Sequence, residues 1–268
     1  MLLDVGQPKV RYDGNILDIE VPPQMETAVS VGHTHMNVLF AGDGMIPSTA
    51  ALITGLPGAG KTTLMIQVAD SITRTGNVCL YNTGEESLYQ VRRVTKRLGL
   101  SKHAGGGFIP SYHRNVDDIT AHMDRLRKKY PGKQIFLVQD SLQCLEPSRI
   151  DPDTGKKMRG RPKQGLAAQV AACAQLTQYV KDTFSILLLI GQVTKNGTFA
   201  GKQQIKHIID CHLHLGLDTD KKSESYGCRV AEMLKNRFGP AGIYFDFDLE
   251  ARGLVFAEAA KSSIGGKA

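Results

Sequence analysis

The sequence predicts an α/β protein with a mainly parallel central sheet, flanking helices and antiparallel strands at the C-terminal end. Short apolar runs alternate with segments whose apolar residues recur every three or four positions, which is typical of strand–helix units that build a parallel sheet. The first run leads through a glycine-rich loop into a helix. Three closely spaced β-patterned runs, near residues 229–234, 242–249 and 253–256, end the pattern.

The first strand–loop–helix unit is the most specific motif. Apolar residues 50–53 lead into glycine-rich residues 55–60, and Leu64, Val68 and Ile72 mark one face of the following helix. Inward-facing N–H groups and the helix N-terminus suit phosphates, so the complete G-x-x-x-x-G-K-T predicts a P-loop rather than a plain turn. We expect the bound nucleotide, ATP, to contact Asp140 of a later strand and the following residues of this loop and helix: Gly55, Pro57, Gly58, Ala59, Gly60, Lys61, Thr62 and Thr63.

Two of these residues have distinct predicted roles. Lys61 is expected to reach the β- and γ-phosphates as a point charge, and the Thr62 hydroxyl is expected to be a ligand of Mg²⁺. Asp140 follows the apolar run 135–138, which has the form of a Walker B strand. Its carboxylate is expected to bind the Mg²⁺ ion through water.

The second predicted strand, residues 78–81, delivers Glu85 and Glu86 to the sheet edge where ligands bind in parallel sheets. Either carboxylate could polarise the attacking water, and either could be an ordinary charge at the start of the helix over 88–98. A short strand near 108–109 and helices over 116–130 and 166–181 follow. The strand over 185–191 then presents Gln192, a polar residue placed to sense the γ-phosphate.

The positive charge of the chain is concentrated in two segments. Residues 149–163 carry six basic and two acidic residues, a net +4, and residues 195–206 carry three basic and no acidic residues, a net +3. Together they equal the formal charge of +7, which suggests a polyanion such as nucleic acid, although solvated loops remain an alternative. The predicted DNA-binding residues are Lys156, Lys157, Arg159, Arg161, Lys163, Lys195, Asn196, Lys202 and Lys206.

The predicted organisation is an N-terminal arm or hairpin over residues 1–35, a core over 36–258 and a flexible tail over 259–268. Two β-patterned runs around residues 13–15 suggest the hairpin. Five widely spaced cysteines without C-x-x-C argue against a zinc site or a disulfide framework, and the histidines at 207, 212 and 214 are expected to be packing or surface residues. With neither a secretory signal nor a membrane span visible, a cytoplasmic protein is expected.

With these pieces assembled, the chain resembles the ATPase core of the RadA (Sms) family of RecA-like DNA-repair proteins, over roughly residues 36–250. The segments that carry the resemblance are the P-loop, residues 83–87 with Gln90 and 97–99, residues 139–143, residues 191–195 with 200–201, and above all Lys-Asn-Arg-Phe-Gly at 235–239. Members usually add a four-cysteine zinc finger and a Lon-like domain. Departures are Gln139 where an aliphatic residue is usual, Gln192 where histidine is common and Lys202 where proline is common.

The resemblance implies a RecA-like fold and a role for further residues. It makes Glu85 the water-activating carboxylate, Gln192 the γ-phosphate sensor, and Lys235 with Arg237 a finger pair presented to the neighbouring subunit's nucleotide. It also implies a ring or filament of identical subunits that binds single-stranded DNA and couples ATP hydrolysis to strand annealing, branch migration or translocation in recombinational repair. A recombinase or a single-strand-binding protein is a further expected partner, in a bacterial cytoplasm or in that of a phage host.

Two other functions remain open. A DnaB-type replicative helicase core has a similar late motif, with Lys235, Arg237 and Gly239 followed by Pro240. A KaiC-like signalling ATPase with a protein partner would share the P-loop and the paired glutamates, but it would not account for the concentrated loop charge. A small-molecule kinase is less favoured, because nothing in the sequence resembles a lid or an acceptor pocket.

Overall fold

The computed structural model describes residues 15–40, 42–102, 107–150, 165–193 and 202–262. Helices and strands alternate through most of this part of the chain. The helices are α1 (Thr34–Phe40), α2 (Lys61–Arg74), α3 (Leu88–Arg97), α4 (Val116–Lys129), α5 (Gly165–Asp182) and α6 (Lys202–Ile208). The strands are β1 (Ala50–Gly55), β2 (Val78–Thr83), β3 (Gly107–Ser111), β4 (Ile135–Asp140), β5 (Ile186–Gln192), β6 (Cys211–Leu217), β7 (Arg229–Asn236), β8 (Ile243–Glu250), β9 (Gly253–Phe256) and β10 (Lys261–Ser262).

All ten strands join one sheet in the order β10-β8-β7-β6-β1-β5-β4-β2-β3, with β9 paired to β8. The six strands from β6 to β3 in this order run parallel. The pairs of β6 with β7, of β7 with β8, and of β8 with β9 and β10 are antiparallel. The predicted fold class is therefore confirmed: a mainly parallel sheet with antiparallel strands at the C-terminal end.

Two hydrophobic clusters cover the two faces of the sheet. On β1, Ala51 and Ile53 belong to one cluster and Ala50 and Leu52 to the other, as the alternation of side chains along a strand requires. The first cluster contains buried residues of α1, α2 and α3, and the second contains those of α4, α5 and α6. Strands buried on both faces explain the continuous apolar runs in the sequence. None of the helices in the described ranges is long and apolar enough to cross a bilayer.

The N-terminal segment differs from the prediction. The β-patterned run after residue 14 forms a 3₁₀ turn, Ile16–Asp18, and not a strand, because the Asn15 side chain accepts a hydrogen bond from the Leu17 N–H and nucleates a turn. Residues 1–14, which include the first run of the predicted hairpin, lie outside the described residues. The core also begins before its predicted boundary at residue 36, since Val31 is fully buried in the first cluster.

Three further elements were not predicted. α1 lies within residues 24–50, and α6 begins within the basic segment 195–206; no helix was predicted at either place. β6, which carries His212 and His214, was not assigned as a strand. At the C-terminal end, Lys261 was predicted to lie in the flexible tail, but β10 pairs with β8 and the Lys261 ammonium lies 2.8 Å from Asp246 Oδ2. Residues 263–268 lie outside the described part of the chain.

A buried amide pair joins β2 to β4 near the carboxyl edge of the sheet. Asn82 Nδ2 donates to Gln139 Oε1 at 2.7 Å, and both side chains are 0% exposed. Asn82 also binds both backbone groups of His113 and the Ser111 hydroxyl, while Gln139 Nε2 donates to the Ser141 carbonyl at 3.2 Å. These hydrogen bonds explain why position 139 carries glutamine. An aliphatic side chain there would deprive the Asn82 amide and the Ser141 carbonyl of a hydrogen-bond partner.

We expect Gln139→Leu to lower the free energy of unfolding by about 1–3 kcal/mol, because it deprives the buried Asn82 amide of an acceptor. Urea denaturation measures the change. Gln203→Leu is the matched control, because Gln203 is exposed on α6 and its replacement should change stability by less than about 0.5 kcal/mol. Equal stability of the two variants would contradict the structural role of Gln139.

Candidate active site

The P-loop forms at the end of β1, where residues 56–60 curl back before α2 begins. Gly58 and Gly60 have φ values of +79° and +97°, which residues with a β-carbon rarely adopt, so the curl depends on glycine at these positions. The loop borders a cavity of about 390 Å³. Its lining residues are Pro57, Gly58, Gly60, Lys61, Thr62, Thr63, Glu85, Asp140, Ile190, Gln192 and Leu249.

Lys61 is held by its own loop. Its ammonium donates to the carbonyl oxygens of Gly55 and Leu56 at 2.8 and 3.0 Å, and the residue is only 8% exposed. Burial lowers the pKa of Lys61, and the carboxylates of Asp140 and Glu85 oppose that shift. Within the described residues the Lys61 ammonium donates to neutral carbonyls, and a cation so bound in a partly desolvated site is a strong attractor for an anion.

Asp140 ends β4 with its carboxylate facing the start of α2. Its Oδ2 atom accepts hydrogen bonds from the Thr62 hydroxyl at 2.8 Å and from the Tyr81 hydroxyl at 2.9 Å. Burial raises the pKa of Asp140, and these two hydrogen bonds oppose the shift. Thr62 and Asp140 both line the cavity beside Lys61. Two oxygen donors at one point are the kind of ligand that Mg²⁺ prefers, so the residues fit the predicted metal.

The two adjacent glutamates have different surroundings. Glu85 lines the cavity, and its Oε1 atom accepts from the Ser141 hydroxyl at 2.6 Å and from Gln192 Nε2 at 3.0 Å. Glu86 does not line that cavity; its backbone N–H and carbonyl bind the Thr83 hydroxyl, and burial raises the pKa of its carboxyl. The sequence alone left both residues open, whereas the geometry brings only Glu85 together with Lys61, Asp140 and Gln192.

The predicted finger pair lies at the opposite edge of the sheet. The P-loop follows Gly55, which pairs with Leu215 near the carboxyl end of β6. Because β7 is antiparallel to β6, its last residue, Asn236, pairs instead with Cys211 at the amino end of β6. The four residue-to-residue steps from 211 to 215 span about 13 Å at the usual rise per residue. Lys235 and Arg237 are therefore not brought to the cavity of their own chain.

Of the predicted DNA-binding residues, Lys206 is exposed on α6, and Lys202 is the first residue of that helix. Lys156, Lys157, Arg159, Arg161, Lys163, Lys195 and Asn196 lie outside the described residues. His212 is buried, as expected of a packing residue, and both His212 Nε2 and His214 Nδ1 lie within 2.9 Å of the Thr54 hydroxyl. His207 is exposed.

Sequence reasoning missed three side chains that shape the site. Tyr81 is fully buried on β2, and Ser141 and Cys144 follow β4; Ser141 lies in the segment 139–143 that carries the resemblance, but none of the three was assigned a role. Tyr81 binds Asp140, while the Ser141 hydroxyl and the Cys144 thiol lie 2.6 and 3.6 Å from Glu85 Oε1. The alternation of side chains along β2 could have indicated the face on which Tyr81 lies, because residues 81 and 83 share one face of the strand and residue 82 lies on the other.

Comparison with known proteins identifies relatives of the chain. It is 33% identical over 236 residues to the DNA repair protein RadA of Haemophilus influenzae, which covers 88% of this chain and 46% of that protein. It is 30% identical over 215 residues to the DNA repair protein RadA of Streptococcus pneumoniae, which covers 80% and 45%. This chain is a RadA homologue. The resemblance predicted from its motifs is confirmed, and the chain spans about half the length of the curated relatives it matches. No family model matches it.

Solved structures similar to this RadA homologue share its fold. A DnaB-like replicative helicase, described with its interactions with primase, has a TM-score of 0.67 at 18% identity, over 85% of this chain and 62% of that chain. A KaiC-like protein of Pyrococcus horikoshii has a TM-score of 0.60 at 19% identity, over 86% and 99%. The expected RecA-like fold is confirmed. Since both alternative functions occur on it, the fold does not choose between them.

Gly84 and Cys144 lie close together next to Glu85, and mutation tests this close approach. A β-carbon at Gly84 would lie 2.4 Å from the Cys144 β-carbon, so Gly84→Ala should destabilise the protein by about 1–3 kcal/mol through overpacking. Cys144→Gly removes the clashing atom. In a double-mutant cycle measured by thermal unfolding, the Gly84→Ala cost should shrink when Cys144→Gly is present. Additive effects of the two substitutions would contradict this geometry.

Proposed function

We propose that this RadA homologue is a DNA-dependent ATP hydrolase of recombinational DNA repair that works as an oligomer. The observation that supports hydrolysis is the convergence of Lys61, the Thr62–Asp140 pair and the Glu85–Gln192 pair on one cavity. Lys61 is the cation that binds the phosphates, and Thr62 and Asp140 are oxygen ligands for a metal. Glu85 is the carboxylate that orients water, and Gln192 is the polar sensor of the γ-phosphate. Together they make up the site that phosphoryl transfer requires.

The P-loop residues bind the substrate. Backbone N–H groups of Gly58 and of residues 60–63 face the triphosphate, and Lys61 exchanges its two carbonyl partners for β- and γ-phosphate oxygens, which are stronger acceptors because they are charged. Thr62 and Asp140 are the residues that would hold Mg²⁺. The metal neutralises phosphate charge when it is bound. Tyr81 keeps the Asp140 carboxylate oriented toward Thr62.

Glu85 orients the attacking water and accepts its proton. Gln192 Nε2 bonds both carboxylate oxygens of Glu85, at 3.0 and 3.1 Å, and so occupies the acceptors that a water needs. When the Gln192 amide turns to a γ-phosphate, Glu85 Oε2 is released for the water, while Oε1 keeps its hydrogen bond from the Ser141 hydroxyl. Binding of the complete triphosphate thus both activates Glu85 and moves Gln192, the last residue of β5. That motion is the signal that the phosphate sensor passes along the chain.

Single-stranded DNA is the proposed partner. The net charges of +4 over residues 149–163 and +3 over residues 195–206 support a polyanion, and the second segment follows Gln192 closely in sequence. The names of the RadA relatives agree with a role in DNA repair. A KaiC-like function with a protein partner would not require this concentration of charge, and ATP hydrolysis that no nucleic acid stimulates would favour it.

The finger pair supports a head-to-tail assembly. Lys235 and Arg237 lie at the sheet edge opposite the P-loop of their own chain. They can therefore complete an active site only where one subunit presents that edge to the next subunit's cavity. Such an interface joins two different surfaces and repeats into a ring or a filament. In this arrangement hydrolysis depends on assembly, and an isolated subunit is inactive.

Glu85→Gln should retain ATP and trap it unhydrolysed, because the amide cannot accept the proton of water while the phosphate-binding residues stay intact. Glu86→Gln is the matched control, since its side chain lies outside the cavity, and it should hydrolyse ATP at close to the normal rate. Lys61→Ala should be inactive as well, through lost contact with the phosphates. Single-turnover hydrolysis and bound nucleotide measure both effects. The opposite behaviour of the two glutamate variants would contradict the assignment.

Neutralising Lys156, Lys157, Arg159, Arg161 and Lys163 together should weaken single-strand binding regardless of base composition, and each lost phosphate contact should lower the salt slope by about 0.7. The ATPase activity without DNA should survive. The control neutralises five exposed residues in and just after α4: Arg125, Arg127, Lys128, Lys129 and Lys133. It changes the net charge equally. Fluorescence anisotropy titrations give both slopes, and equal slopes for the two variants would rule out the segment as a DNA contact.

Mixing two inactive variants tests the assembly. Arg237→Ala and Lys61→Ala should each lack activity alone, but random reassembly places an intact P-loop against an intact finger at about a quarter of the interfaces. Partial ATPase activity should therefore return. A mixture as inactive as its components, with mixed assembly verified by mass, would contradict action across the interface. Dilution of each variant into excess wild-type protein controls for strict coupling between successive sites.

A further inference from the structure

Asp210 is a buried carboxylate that no step of the proposed mechanism uses. It lies between α6 and β6 and is 2% exposed. Its Oδ1 atom lies 3.1 Å from an Arg237 guanidinium nitrogen and 3.3 Å from the Lys181 ammonium, and its Oδ2 atom accepts from the Ala50 N–H at 3.0 Å. One buried side chain thus joins a finger residue to α5 and to the first residue of the P-loop strand.

Both residues of the finger pair also donate hydrogen bonds to carbonyl groups at the carboxyl end of α6. Lys235 donates to the carbonyl oxygens of Lys206 and Ile209, both at 2.6 Å, and Arg237 donates to the His207 carbonyl at 3.2 Å. Carbonyl groups at the end of a helix have no intrahelical partner and carry partial negative charge, so they attract cations. Asp210 follows this helix directly and adds a full negative charge to the same place.

The charges at this place do not balance. Three cations, Lys181, Lys235 and Arg237, lie around Asp210, which is the acidic partner of both Lys181 and Arg237. In the part of the chain that the structure describes, Lys235 binds carbonyl groups. The Arg237 side chain remains 47% exposed and the Lys181 side chain 35%. Among the described residues, Asp210 is the one buried counter-charge of these three cations, and such an accessible positive cluster is suited to meet an anion from outside the chain.

We infer that Asp210 is the positioning residue that holds the finger pair in the orientation in which it meets the phosphates of a neighbouring subunit's nucleotide. It binds one nitrogen of the Arg237 guanidinium while the His207 carbonyl binds a second, and the side chain stays 47% exposed. A guanidinium has five N–H donors in a rigid fork, so fixing one edge fixes the direction of the rest. This inference rests on the proposed function, because it needs the pair to act across the interface.

A purely structural role for Asp210 gives a different expectation. If the carboxylate served only to fix the start of β1 through the Ala50 N–H, its loss would disturb the P-loop of the same chain. If it positions Arg237, its loss disturbs the site of the neighbour and leaves its own P-loop intact. Complementation between variants separates these cases, since it reports which half of the interface is defective.

The experiment uses Asp210→Asn, with Asp118→Asn on the exposed face of α4 as the matched control. Alone, Asp210→Asn should lower kcat by up to about 100-fold, because the finger is misplaced, while the affinity of its own P-loop for a fluorescent ATP analogue stays unchanged. Mixed with Lys61→Ala it should recover activity at about a quarter of the interfaces. Mixed with Arg237→Ala it should recover none, because both variants lack a working finger.

Recovery with Arg237→Ala, or no recovery with Lys61→Ala although both chains assemble, would overturn the inference. The proposed function fails separately, if the mixture of Arg237→Ala and Lys61→Ala stays inactive. If Asp210→Asn does not fold, Asp210→Glu enters the same two mixtures, since it keeps the charge and moves the carboxylate by about one carbon–carbon bond, roughly 1.5 Å. The same pattern of recovery is expected of it, and the opposite pattern overturns the inference equally.

Discussion

The parallel register of four neighbouring strands is the constraint on which the active site depends. β1, β5, β4 and β2 lie side by side, and Gly55, Gln192 and Asp140 each end one of them. Glu85 follows β2 closely. Since parallel strands end at a common edge, residues separated by up to 137 positions meet there without any long loop to place them. The Thr62–Asp140 and Glu85–Gln192 hydrogen bonds are the consequence of this register.

Much of this edge could be predicted from the sequence because its signals are local. The P-loop needs glycine at 58 and 60, and an apolar run that ends in Asp140 is visible without any partner strand. The choice between Glu85 and Glu86 was different, since it depends on which side chain faces Ser141 and Gln192. The resemblance to a family supplied Glu85 where composition and periodicity could not.

The missed elements are those whose stability is not local. α1 and α6 have seven residues each, which is too short for a clear period, and they form because Met36 and Leu39 or Ile205 pack on the sheet. β6 alternates polar and apolar residues, but its polar positions are histidines that contact Thr54 on β1. The Asn82–Gln139 pair likewise exists only across two strands, so Gln139 looks anomalous in sequence and is satisfied in structure.

The change of strand direction after β6 has the largest consequence for function. Six parallel strands gather the nucleotide residues at one edge, and the single antiparallel step to β7 carries Lys235 and Arg237 to the other. If β7 ran parallel to β6, its last residues would lie beside the P-loop and one chain could hold a complete site. With the observed direction, the cation pair and the cavity lie at opposite edges of the sheet, so in the proposed assembly they face different neighbours. The same topology that concentrates the phosphate-binding groups thus divides the proposed active site between two subunits. The second half is the finger pair, in which Lys235 binds the end of α6 and Arg237 binds Asp210.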